Sequence, residues 1–267
     1  MSAVSLVSSS TIGAIAGGLF FLGVIPILLL IVLGIRRKIS GAALAVGFAS
    51  FFFSQIVLRI PLLSALSAVP AFASFASGHP YLYALVVGGL SAGLFEETAR
   101  VIGALCLKKH RSYRDVVSFG LGHGICEVLS VAGLSYISLL SVALALNTDP
   151  AVLSSALGEE QMTLILQQVQ SITPVIVFWA VIERVSAVLL HMFNTALVFR
   201  AVTQKKTLFY VLAVALHTVF NFAAVLLLPL GVAVCELVLL AGGLACGWGL
   251  FRARSWFEPK EVPAAEE

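Results

Sequence analysis

Charge is what this chain has least of. Asp, Glu, Lys and Arg make up 11% of its 267 residues, 60% are hydrophobic, and the mean hydropathy is +1.06. A soluble domain of this length carries about 25% charged residues, so a water-facing globule is excluded. Strict alternation of apolar and polar residues is also missing. The apolar runs are long and continuous, which argues against a β-barrel and for helices that satisfy their own backbone in lipid. The four cysteines (Cys106, Cys126, Cys235, Cys246) show no CxxC spacing and sit in apolar surroundings, which points to buried free thiols. No basic region precedes the first apolar run, so a first span is expected there and not a cleaved signal peptide.

What charge there is follows a pattern. Thirteen of the 16 Lys and Arg fall in four clusters: Arg36, Arg37, Lys38; Lys108, Lys109, Arg111, Arg114; Arg200, Lys205, Lys206; Arg252, Arg254, Lys260. The positive-inside rule places these in the cytoplasm, with the N-terminus outside and the C-terminus inside. That orientation requires an odd number of spans. The expected fold is an all-α, polytopic transmembrane helical bundle of about seven spans, near residues 11–35, 40–62, 80–107, 116–140, 173–199, 207–228 and 231–251. Residues 1–254 are expected to form one integral membrane domain, and 255–267 a polar, disordered cytoplasmic tail. The outer segment 147–172 reads either as an interfacial amphipathic helix or as a partly ordered loop.

The three remaining arginines, Arg59, Arg100 and Arg184, lie inside apolar stretches. Arg59, near the outer end of span two, reads as a snorkelling side chain. The other two belong to a set of polar residues at membrane depth, where ionisable groups are expensive and mark function by default. Span three carries Glu96, Glu97 and Arg100 in FEETAR. Span four carries His123 and Glu127 in FGLGHGICE. Span five carries Glu183, Arg184, His191 and Asn194 in IERVSAVLLHMFN, and span six carries His217 and Asn221 in LHTVFN. Spacings of three, four and seven put each group on one helix face. At 1.5 Å of rise per residue, Glu96, His123, His191 and His217 lie roughly 10 to 16 Å from the cytoplasmic boundaries. Four helices thus present polar groups at one level, and a shared hydrated cavity explains the alignment. Gly120, Gly122 and Gly124 bracket His123; they serve close helix packing, space for a substrate backbone, or both.

Peptide hydrolysis needs an activated water, a proton shuttle and oxyanion donors. A glutamate beside a histidine, with a further His and Asn, supplies them. No GxSxG elbow accompanies a serine or cysteine nucleophile. A zinc site is the alternative within hydrolysis, with His123, His191 and His217 as candidate ligands, although no HExxH motif occurs. Two other functions are compatible with buried Glu and His: a proton-coupled transporter and a non-catalytic membrane scaffold. Inverted repeats and broken helices, which mark many transporters, are not evident. Glu183 with Arg184 reads as a structural pair.

FEETAR, FGLGHG with a Glu four residues after the His, IERVSAVLLH and HTVFN together resemble the YhfC family of bacterial intramembrane proteases, related to the CPBP/ABI (CAAX protease and bacteriocin-processing) superfamily. The superfamily pattern is EExxxR, FxxxH, HxxxN. Phe119 to His123 and His217 to Asn221 fit, whereas Glu96, Glu97 and Arg100 read EExxR. The resemblance implies that Glu96, with His123, activates water, that Arg100 holds Glu97, and that His217 and Asn221 form the oxyanion site. His191 falls to the cavity wall or to a metal, with Asn194, Glu127, Glu183 and Arg184 in support. It further implies a membrane-embedded or membrane-anchored peptide substrate; the depth of the polar groups in the cytoplasmic half predicts entry from the inner leaflet, and no nucleic-acid partner is expected. No cofactor is required by this reading; zinc is the ion of the alternative.

Overall fold

The computed structural model describes residues 6–258, which are helical with no strand among them. Among the described residues, six helices are long and apolar enough to cross a membrane: Ser9–Ile35, Gly41–Ser67, Tyr113–Thr148, Pro174–Gln204, Thr207–Leu230 and Val232–Trp256. The remaining expected span, 80–107, is helical from Pro80 through Cys106, in the consecutive pieces Pro80–Tyr83, Ala84–Leu90 and Ser91–Cys106. It carries Glu96, Glu97 and Arg100. Large apolar side chains point outward along these helices, among them Ile35, Leu230, Trp248 and Phe251 at 65–77% exposure. Arg100, His123, His217 and Glu97 rank with the largest fully buried side chains. Apolar outside and charged inside is the arrangement that hydrocarbon solvent favours.

Four stretches widen into π-helix: Phe20–Val24, Phe52–Arg59, Ala84–Leu90 and Val128–Gly133. Two have a proline just downstream, Pro26 and Pro61. Proline removes an N–H and crowds the carbonyl four residues earlier, so the ladder must locally rearrange.

The chain divides into two compact units. The first comprises Met1–Leu33 and Glu127–Val185. Within it, Asn147 clamps the chain start: its Oδ1 accepts from Val7 N and its Nδ2 donates to Val7 O, both at 2.8 Å. The 147–172 segment forms two helices, Pro150–Leu157 and Glu159–Gln170, joined at Gly158 with φ +80°. That left-handed backbone suits glycine.

The second unit comprises Gly34–Cys126 and Ser186–Glu267. Phe119, Val116, Ala104, Ala196, Phe199 and Leu250 form its buried apolar core. Glycines set how closely its helices approach. A Cβ on Gly122 would lie 2.2 Å from Leu44 O, one on Gly47 2.0 Å from Phe119 O, and one on Gly120 2.6 Å from the Met192 Cα. The glycines beside His123 are therefore occupied in helix packing. The expected tail from Ser255 begins inside a short turn, Ala253–Trp256. Trp256 covers the Arg200 guanidinium at 4.2 Å, with Phe209 at 5.0 Å from the same group. Residues 259–267 lie outside the described residues.

Candidate active site

The second unit brings three of the expected motifs, together with His191 and Asn194, into one buried cluster. Glu96, Glu97 and Arg100 come from the Ser91–Cys106 helix, His123 from Tyr113–Glu127, His191 and Asn194 from Pro174–Gln204, and His217 from Thr207–Leu227. All seven are at most 4% exposed.

Glu96 is the hub. Its Oε2 lies 2.8 Å from His123 Nε2, its Oε1 lies 3.6 Å from His217 Nε2, and His191 Nδ1 is 3.8 Å from Oε2. The other nitrogen of His123, Nδ1, is 2.7 Å from Ser50 Oγ, which also donates to Gly47 O. The hydroxyl has one proton and two acceptors. Whichever it serves, a proton must lie between His123 Nε2 and Glu96 Oε2 for their contact to hold. Glu96 and His123 therefore share a proton.

Glu97 is the structural counterpart. Its Oε1 accepts from Arg100 Nη1, from Asn194 Nδ2 at 3.0 Å and from His217 Nδ1 at 2.8 Å. Donation from Nδ1 fixes the His217 tautomer and turns its Nε2 lone pair toward Glu96. Arg100 Nη2 reaches His191 Nδ1 at 2.6 Å and stands 3.7 Å from Glu96 Oε2. The guanidinium has only donors, so His191 Nδ1 accepts and a neutral ring carries its proton on Nε2. The EExxR spacing thus lets one arginine serve both glutamates.

Gln55, absent from the sequence reading, and Arg59, read there as snorkelling, complete the carboxylate's surroundings. Gln55 Nε2 donates to Glu96 Oε1 at 2.8 Å, and Arg59 Nη1 donates to Gln55 Oε1 at 3.0 Å. Arg59 therefore does not snorkel: its guanidinium is bound to Gln55, Ser91 and the carbonyls of Val87 and Gly88. Asn221, expected beside His217 as an oxyanion donor, is half-buried, and the amide that reaches the carboxylates is Asn194. Glu127, Glu183 and Arg184 form a separate triplet in the first unit. Arg184 Nη1 donates to Glu127 Oε1 at 2.7 Å, and its Nη2 to Glu183.

Beside Ser50, an apolar cavity of about 650 Å³ runs between the Gly41–Ser67 and Ser91–Cys106 helices, with Phe53, Ser54, Leu94, Thr98 and Ile102 in its wall.

A metal has a matching donor set. Glu96, His191 and His217 offer ligand atoms that all lie within 4.8 Å of one another. His123, expected among the ligands, is outside this set; Ser50 and Glu96 lie against its two nitrogens. One carboxylate and two imidazoles form a known hydrolytic zinc set. The Glu97–His217 pair has the carboxylate–imidazole arrangement that leaves the far nitrogen for an ion. Glu97 Oε2 and Asn194 Oδ1 are buried acceptors with no donor among the described residues. The residues fit a divalent ion in the kind of donor they offer; His191 would exchange Arg100 for it.

Residues 20–240 match the family described as YhfC intramembrane metalloprotease. The chain belongs to this family. A relative from Bacillus subtilis (strain 168), described as "Uncharacterized membrane protein YhfC", is 31% identical over 259 residues, covering 92% of this chain and 96% of that one. No solved structure matches. As a YhfC-family chain with six apolar helices of spanning length, this is a multi-pass integral membrane protein. The family's description makes it a membrane peptidase, and the lipid bilayer its surroundings.

Proposed function

We propose that this protein is an intramembrane endopeptidase in which Glu96 and His123 activate water against a peptide bond of a membrane-embedded or membrane-anchored substrate. The observation that carries the reading is the Glu96 carboxylate, buried and within 2.8 Å of His123 Nε2 and 3.6 Å of His217 Nε2.

Glu96 takes a proton from water as the oxygen attacks the scissile carbonyl carbon. The negative charge that develops on the carbonyl oxygen meets the protonated Nε2 of His191 and the nearby Arg100, with Asn221, one turn beyond His217, as a further donor. Collapse of the tetrahedral species breaks the C–N bond, and the shared Glu96–His123 proton passes to the leaving nitrogen. Glu97, held by Arg100, Asn194 and His217, fixes the ring that faces Glu96. A bound zinc would be held by Glu96, His191 and His217, and would supply Lewis-acid polarisation and a more acidic water. Seven crossings, with the N-terminus outside a bacterial cytoplasmic membrane, would give the substrate access from the inner leaflet.

The test uses the full chain in detergent with a fluorophore–quencher peptide carrying one apolar transmembrane segment. Glu96→Gln is expected to lower kcat by about 10²–10⁴, the usual contribution of a general base. Cleavage by Glu96→Gln at the wild-type rate would remove this mechanism.

A further inference from the structure

The polar groups on the Gly41–Ser67 helix remain to be explained. Gln55 and Arg59 lie in its π-helical stretch, Phe52–Arg59, and neither belongs to the clustered motifs. Arg59 is anchored on several sides. Its Nη2 donates to Val87 O at 2.6 Å and Gly88 O at 3.4 Å, and its Nε donates to Ser91 Oγ at 2.9 Å. Both carbonyls belong to a second π-helical stretch, Ala84–Leu90, where the ordinary i−4 pairing of the ladder is altered. Nη1 then binds Gln55 Oε1 at 3.0 Å.

That last contact decides which way the Gln55 amide points. A guanidinium can only donate, so it must face the amide oxygen. The amide nitrogen is thereby turned to the opposite side, where it donates to Glu96 Oε1 at 2.8 Å. Glu96 Oε2 is held by His123 at the same distance. Each carboxylate oxygen therefore has its own partner, and the plane of the group is set. In a buried site, a carboxylate held by one oxygen only would be free to swing away from His123.

We propose that Gln55 and Arg59 are positioning residues for Glu96: Arg59 orients Gln55, and Gln55 holds the carboxylate in the orientation that faces His123. The proposal rests on Glu96 being the water-activating group, and it predicts an ordered dependence, since Arg59 reaches the carboxylate through Gln55. Substitution of such supporting partners elsewhere costs about 10- to 100-fold in activity.

The experiment compares full-length Gln55→Met, Arg59→Met, Arg59→Lys and the Gln55→Met/Arg59→Met double variant in detergent. Methionine keeps an unbranched apolar chain of similar reach. With the transmembrane fluorophore–quencher peptide, Gln55→Met and Arg59→Met are expected to lose about 10- to 100-fold in kcat with KM within twofold. The double variant is expected to be no slower than Gln55→Met, and Arg59→Lys to be intermediate. Infrared spectra of ¹³C-glutamate-labelled protein, with Glu96→Gln subtracted, isolate the Glu96 carboxylate band without needing catalysis. That band is expected to move in Gln55→Met and in Arg59→Met, and no further in the double variant. An unchanged band in Gln55→Met, a raised KM at constant kcat, or additive losses in the double variant would overturn the proposal. A wild-type protein that cleaves nothing removes the protease reading instead, while the band still reports whether Gln55 holds Glu96. If a methionine variant fails to fold, the band in Arg59→Lys decides the matter.

Discussion

Adding one methyl group to Gly122 is expected to weaken the protein and to disable the site through the same displacement. The new Cβ would lie 2.2 Å from Leu44 O and 3.0 Å from Leu44 C, against ordinary contact beginning near 3.4 Å. The obstacle is backbone, so no side-chain rotation relieves it, and the helix that carries Leu44 must retreat by about 1 Å to restore ordinary contact. Overpacking of this kind costs about 1–3 kcal/mol. Ser50 rides on the same helix, and its Oγ stands 2.7 Å from His123 Nδ1. A retreat of about 1 Å takes that pair past hydrogen-bonding distance. Gly47→Ala meets the reciprocal contact, with its Cβ 2.0 Å from Phe119 O. One separation of the two helices relieves both clashes, so the double variant should cost less than the two single costs added. The shortfall should be about 0.5–3 kcal/mol, the usual range for residues sharing a displacement. Denaturant-induced unfolding in micelles measures the stability, and cleavage of the transmembrane reporter peptide measures the site. Additive costs, or a Gly122→Ala variant as stable and active as the wild type, would refute the reasoning.

Arg100→Met leaves Glu97 buried without its ion partner. It should cost about 3–5 kcal/mol, part of which Glu97→Gln in the same chain restores; equilibrium unfolding reads both values. Phe119→Ala opens a cavity against Phe199, whose ring centroid is 5.4 Å away, and should cost about 3–5 kcal/mol by the same measurement. If zinc is held as the donor set suggests, elemental analysis of purified protein should find it in wild type and His123→Ala, and lose it in His217→Ala. Retention in His217→Ala, or loss confined to His123→Ala, would exclude that ligand set.

The site was legible wherever charge interrupted an apolar run. Glu96, Glu97, Arg100, His123, His191 and His217 stand out because ionisable groups at membrane depth need a reason to be there. Counting rise along four helices put them at one level, and the structure brings them within hydrogen-bonding reach. Gln55 and Ser50 escaped because single uncharged polar residues in an apolar helix are common and carry no pattern of their own. Arg59 carried the stronger signal, an arginine four residues past a glutamine within one span, but its position near a span end suggested escape to the interface. What reversed that was the π-helical carbonyl of Val87, which no 3.6-residue periodicity foretells. Asn194 and Asn221 sit equally well on their helix faces in sequence; only packing shows that Asn194 is the one against Glu97. The glycines around His123 read the same way whether they make room for a ligand or for a neighbouring helix. The distances to Leu44, Phe119 and Met192 assign them to the neighbours.

The Trp256 ring lying on Arg200 ties the turn Ala253–Trp256 to the helix Pro174–Gln204, which carries His191 and Asn194. A tag or fluorescent protein joined after Glu258 leaves that stacking in place. Shortening the chain to Arg252 would strip the guanidinium of its aromatic cover and leave it to compete for water or lipid phosphate. The useful boundary for expression work therefore falls after the tryptophan, even though the hydrophobic run ends several residues before it.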